Sequence, residues 1–130
     1  MQLSKRIVGL FALVALVVLA GCATGIPPDK LREYGLIQPG HKWSISKIDG
    51  EKFPAQVGTP RNVLPGKHTV VESACPTPNS CNYVVMTFEV RAGLTYDLDN
   101  MRVSDRFTNN PVGSLYRTSG SDYVFRAIGQ

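Results

Sequence analysis

Between Asn82 and Asp99 apolar and polar residues alternate. Val84, Met86, Phe88 and Val90 fall between Tyr83, Thr87, Glu89 and Arg91, and past Ala92-Gly93 the residues Leu94, Tyr96 and Leu98 fall between Thr95, Asp97 and Asp99. A period of two puts each apolar set on one face of a strand and its polar set on the other, which no helix can do. The expectation is two half-buried strands joined at Ala92-Gly93 as an antiparallel hairpin. The rest of the chain must then supply strands that cover their apolar face.

It has the residues to do so. Trp43 to Ile48 is a strand candidate ending at Asp49-Gly50, a dipeptide that favours two-residue hairpins. Lys52 to Val57 continues as an edge strand, because Pro54 cannot donate to a central ladder. Leu64-Pro65-Gly66 is a turn, and Lys67 to Ala74 is rich in Thr and Val. Asn109-Asn110-Pro111 and Ser119-Gly120-Ser121 bracket strand candidates Val112 to Arg117 and Asp122 to Ile128. Ahead of these, Asp29 caps a short helical turn through Leu31 and Tyr34 that ends at Gly35, with Gln38-Pro39-Gly40 as a break. The expected fold class is all-β: a small antiparallel β-sandwich or open barrel of six to seven strands.

The start of the chain reads differently. Lys5 and Arg6 precede an almost wholly apolar run from Ile7 to Ala20. A basic start and a short apolar run make a signal peptide, and the run falls short of the roughly 20 residues a membrane-crossing helix needs. It closes in Leu19-Ala20-Gly21-Cys22, which resembles the lipobox of bacterial lipoproteins. That resemblance implies cleavage before Cys22 and a diacylglycerol and N-acyl lipid on its thiol and amine, with no other cofactor. Several acyl chains hold a protein at a membrane where one does so only reversibly. Ala23 follows in place of an aspartate, so the sorting rule implies the periplasmic face of the outer membrane. The expected organisation is residues 1–21 as leader, 22–42 as lipidated tether with the helical turn, and 43–130 as β domain.

Lipidation of Cys22 leaves Cys75 and Cys81, separated by Pro-Thr-Pro-Asn-Ser. In an oxidising compartment these two should pair across a hairpin neck, and their spacing suits neither a redox pair nor a zinc knuckle. A ring this small stabilises by about 2 kcal/mol.

Ile48-Asp49-Gly50, Val63-Leu64-Pro65-Gly66-Lys67-His68-Thr69-Val70, and Phe88-Glu89-Val90-Arg91-Ala92-Gly93-Leu94-Thr95-Tyr96 resemble PEGA-like β modules of uncharacterised proteobacterial lipoproteins. The resemblance spans about Ile45 to Leu98. It implies a small sandwich used for surface interaction or as an extracytoplasmic accessory, and it brings no catalytic residues. The segment between Cys75 and Cys81 stands outside it.

The chain carries 14 basic and 10 acidic residues, and with Lys5 and Arg6 in the leader the remainder is close to neutral. No basic cluster suits nucleic acid. His41 and His68 are the only histidines, and no nucleophile motif accompanies either. Asp97, Asp99, Asn100 and Asp105 offer oxygens but lack calcium-loop spacing, so no metal is expected. Tyr83, Arg91, Tyr116 and Arg117, with Tyr123 and Arg126, supply the aromatic and arginine side chains typical of protein interfaces. The expected function is therefore non-enzymatic: a membrane-held module meeting an envelope protein or cell-wall partner. The alternative is a periplasmic inhibitor of a lysozyme-like hydrolase, against which the lack of acidity counts, since lysozymes are usually cationic.

Overall fold

The computed structural model describes residues 26–129. Cys22, the leader and the start of the tether lie outside them. The chain divides into two compact units at Leu31 and Arg32. Locally, the expected helical turn is a 3-10 helix over Pro28–Glu33, with Asp29 inside its first turn and not at its cap, since the Lys30 N–H closes the turn on Pro27 O.

The second unit is one curled, open, half-barrel sheet. In chain order its strands are β1 (Gly35–Gln38), β2 (Ser44–Ile48), β3 (Glu51–Lys52), β4 (Arg61–Val63), β5 (Gly66–Thr77), β6 (Ser80–Val90), β7 (Leu94–Asp97), β8 (Arg102–Asp105), β9 (Pro111–Ser119) and β10 (Asp122–Ala127). They lie in the order β3-β2-β5-β6-β10-β9-β8-β7-β1-β4. The all-β class holds, as the open barrel of the two forms expected. The strands number ten, not six to seven. The surplus is β1, β4 and β8, of three or four residues each, while the edge strand expected over Lys52 to Val57 is only β3, since Phe53 to Val57 carry no strand pairing around Pro54. Runs so short cannot show an alternation.

Two placements depart from expectation. β1 follows the helical turn directly and pairs with both β7 and β4, so the sheet recruits residues ahead of Trp43. The break at Pro39-Gly40 ends this strand, not a helix. Gly35 is buried where β1 passes the end of β6, and a Cβ there would run into Val90 and come 2.9 Å from the Arg91 carbonyl oxygen. In addition, β6 and β7 are not hairpin partners. Gly93 turns with φ 78°, its N–H bonds Tyr34 O, and β7 takes parallel β1 and antiparallel β8 as neighbours. The Ala-Gly turn carries the chain across the mouth of the curl.

The Asp49-Gly50 turn is the two-residue hairpin expected, with both residues at positive φ and Ile48 facing Glu51. Asp49 also accepts the Thr69 N–H and faces Nδ1 of His68, whose Nε2 meets Leu64 O at 2.6 Å. Burial raises the Asp49 pKa, but the Thr69 N–H and His68 outweigh it and leave the carboxyl below its usual value. His68 is thus spent on holding the strand start.

The core lies inside the curl. Met86, Phe88 and Val90 of β6 and Tyr96 of β7 are at most 1% exposed, as the alternation predicts, whereas Val84, expected on the same face, is 37% exposed toward the β5–β6 tip. Phe88 and Tyr96 pack with ring centroids 5.3 Å apart, and the Tyr96 hydroxyl accepts the Arg91 N–H. At the open seam Gly58 ties the two margins: its N–H bonds Trp43 O and its carbonyl accepts from Gln38 Nε2. The Arg61 guanidinium lies 4.4 Å from the Phe53 ring centre, covering the same gap.

Candidate functional site

β6 is eleven residues long, yet it shares one register pair with β10, Thr87 with Asp122. Thr87 N–H bonds Ser121 O at 2.7 Å. β10 then follows β9 closely, with a register shift between Asp122 and Tyr123. The extra residue is Thr118 of β9, which Asp122 and Tyr123 pass without a partner, so the bulge bends the β9–β10 ribbon beside the one pair shared with β6. Two features follow. Past Thr87 the strands part and leave a notch; before it β10 has not begun, and among the described residues no strand lies along that flank of β6.

The notch encloses about 320 Å3. Phe88, Tyr123 and Phe125 form its inner wall, all wholly or partly buried against the core. Lys67, Glu89, Arg91, Asp122 and Val124 form its exposed rim. The Arg91 guanidinium lies 5.1 Å from the Phe125 ring centre. An apolar wall beneath two positive and two negative side chains suits a side chain or short segment of another protein better than a polyanion.

The four residues predicted for a binding face do not form one. Arg91 belongs to the notch. Tyr116 lies opposite Val124 on the outer side of β9 and β10, 47% exposed, with the Arg126 guanidinium 4.9 Å from its ring centre. Arg117 projects from the other side of the strand, and its Nε–H donates to Gly120 O at 2.7 Å, which fastens the β9–β10 turn. Tyr83 stands apart on the far half of β6, 64% exposed. Reading the sequence missed Lys67, Phe88 and Phe125 as site residues. Phe88 sits in an alternation that marks it as core, and the only available signal, an aromatic next to Arg126, carries no information about β6.

Cys75 and Cys81 are bonded to each other near the β5–β6 tip, as expected from the odd cysteine count. Asp97 Oδ1 accepts the Asp99 N–H, and Asp105 Oδ1 accepts from Phe107 and Thr108, whose N–H groups lower its pKa. Among the described residues no group of three or more His, Cys, Asp or Glu side chains is gathered to hold a metal ion.

One buried carboxyl stands out. Glu72 on β5 is 5% exposed and accepts the Gly40 N–H at 2.8 Å, while Asp99 alongside accepts the His41 N–H. Burial raises the Glu72 pKa, the Gly40 N–H opposes this, and the Asp99 charge adds to it. A carboxyl whose folded pKa is raised stabilises the fold fully below its unfolded value, and that contribution is lost as pH rises through the folded value. Glu72→Gln keeps an acceptor for Gly40 and removes the charge. The variant should match the parent in stability near pH 4 and exceed it at pH 7. Urea unfolding at the two pH values checks this, and a destabilised variant at pH 7 contradicts it.

No family model, curated protein or solved structure matches the chain.

Proposed function

We propose that the chain is a lipoprotein anchored through Cys22 to the periplasmic face of the outer membrane, and that its β domain serves the envelope as a binding module without turnover. The observation that carries the binding role is the β6–β10 notch, with its aromatic wall and mixed-charge rim. The partner it suits is an envelope protein that presents an apolar side chain flanked by charges of both signs. The Leu19-Ala20-Gly21-Cys22 segment supports the anchor, and anchoring raises the effective concentration of partners in the same thin layer, so a weak contact suffices. His68, bound to Asp49 and Leu64, is committed to structure in a way that fits the absence of a catalytic role.

The test is complementation of a deletion strain. His41→Gln and His68→Gln, each confirmed as folded, should restore the parental phenotype. Cys22→Ser should leave unprocessed precursor without fatty acid and should fail to complement. Loss of function in a folded histidine variant, or full complementation by an unacylated chain, overturns this reading.

A further inference from the structure

The flank of β6 before Thr87 is a second surface, separate from the notch. Backbone groups of alternate residues point to alternate sides of a strand. Thr87 points its N–H to the β10 side, toward Ser121 O, so Val85, Tyr83 and Cys81 point theirs the same way. The even-numbered residues face β5, with which β6 is paired from Val90 back to Ser80. Among the described residues no strand occupies the outer flank over Cys81–Val85. Tyr83, Val84 and Val85 are 64%, 37% and 44% exposed, so both faces of this stretch are open as well.

The true margins of the sheet are protected. β3 is two charged residues long, and β4 is three residues long and runs into Leu64-Pro65. Short, charged or proline-ended edges resist pairing. The β6 flank has none of these defences: Cys81 to Met86 contains neither a charged residue nor a proline, and Pro76 to Thr87 contains no charged residue at all.

We infer that this flank pairs with the same flank of a second copy, joining two half-barrels through antiparallel β6 strands. The two-fold symmetry of a closed dimer demands antiparallel pairing of a patch with itself. A charged flank would meet its own sign across the axis; this uncharged one meets no repulsion, and it offers nothing to attract a charged partner in its place. The free groups sit on odd-numbered residues, so centring the axis on Tyr83 sets Tyr83 against Tyr83 and Cys81 against Val85. Three such pairs exchange about six backbone hydrogen bonds. Thr87, already bonded to Ser121, ends the ladder.

The test uses the full-length chain in its host envelope, as two copies with different C-terminal tags and p-benzoylphenylalanine at position 83. Ultraviolet light should give an adduct of twice the monomer mass that carries both tags. Tyr83→Pro removes an outward N–H that β5 does not use, and Tyr83→Lys sets like charges face to face across the axis. Each should cut co-recovery of the second tag from detergent extracts at least tenfold, with the Cys75–Cys81 bridge still closed to alkylation; if the proline variant exposes thiols, the lysine variant decides. An adduct with a different protein, an internal link to the chain's own leader, no adduct, or unchanged co-recovery overturns the pairing. None of these results bears on complementation, so the notch stands or falls separately.

Discussion

Gly113→Ala should destabilise the domain by about 3 kcal/mol, at the top of the usual range for overpacking. Gly113 lies on β9 between Val103 of β8 and Ala127 of β10. A Cβ there would collide with the Arg126 carbonyl oxygen and the Phe125 ring, whose Cζ would be 2.8 Å away. A ring can swing aside; a carbonyl oxygen held within a strand pair cannot, so β10 must shift as a unit. Phe125 is also part of the notch wall beneath Arg91, so the same change should spoil the notch. A urea midpoint measures the loss, and amide exchange should show β9–β10 opening first. Ser114→Ala, one residue on and half-buried, is the control and should move stability by less than about 0.5 kcal/mol. Equal effects at the two positions would contradict the packing described.

The second large effect belongs to Phe88→Ala. Phe88 is 1% exposed, packs on Tyr96 and backs the notch. Truncation removes the ring from the core and leaves a cavity under β6, a loss of about 3–5 kcal/mol. Domains of this size have about 5–15 kcal/mol in total, so the variant should be marginal at 37 °C. Phe88→Leu, which retains most of the apolar volume, should lose roughly half as much and keep the notch wall. A midpoint shift below that of 1 kcal/mol for the alanine variant would mean that β6 is not the centre of the core.

Why β6 was legible in the sequence and the notch was not has a physical answer. Met86, Phe88 and Val90 face a core on one side and Thr87 and Glu89 face outward on the other, so the period of two is written along one strand. Asp49-Gly50 and the Cys75–Cys81 pair were equally local, each a matter of a few adjacent residues. β1, β4 and β8 have too few residues for any period to appear. Ala92-Gly93 suits a hairpin and a crossing alike. What decides between them is β1, a distant segment that claims the flank of β7. The notch depends on still more remote events: a bulge at Thr118 of β9 opposite Asp122 and Tyr123, and a ring laid over Gly113. Tyr83 and Tyr116 are both exposed, but the register that keeps them from sharing one face is tertiary.

The most direct measurement is in-cell photo-crosslinking from the notch rim, with p-benzoylphenylalanine at Val124 in the full-length chain and at Val57, an exposed residue outside the notch, as the control. A binding module predicts one discrete adduct with an envelope protein from Val124, none from Val57, and loss of the adduct when Arg91→Glu reverses a rim charge. Adducts of equal yield from both positions, or a Val124 adduct indifferent to Arg91→Glu, would contradict it.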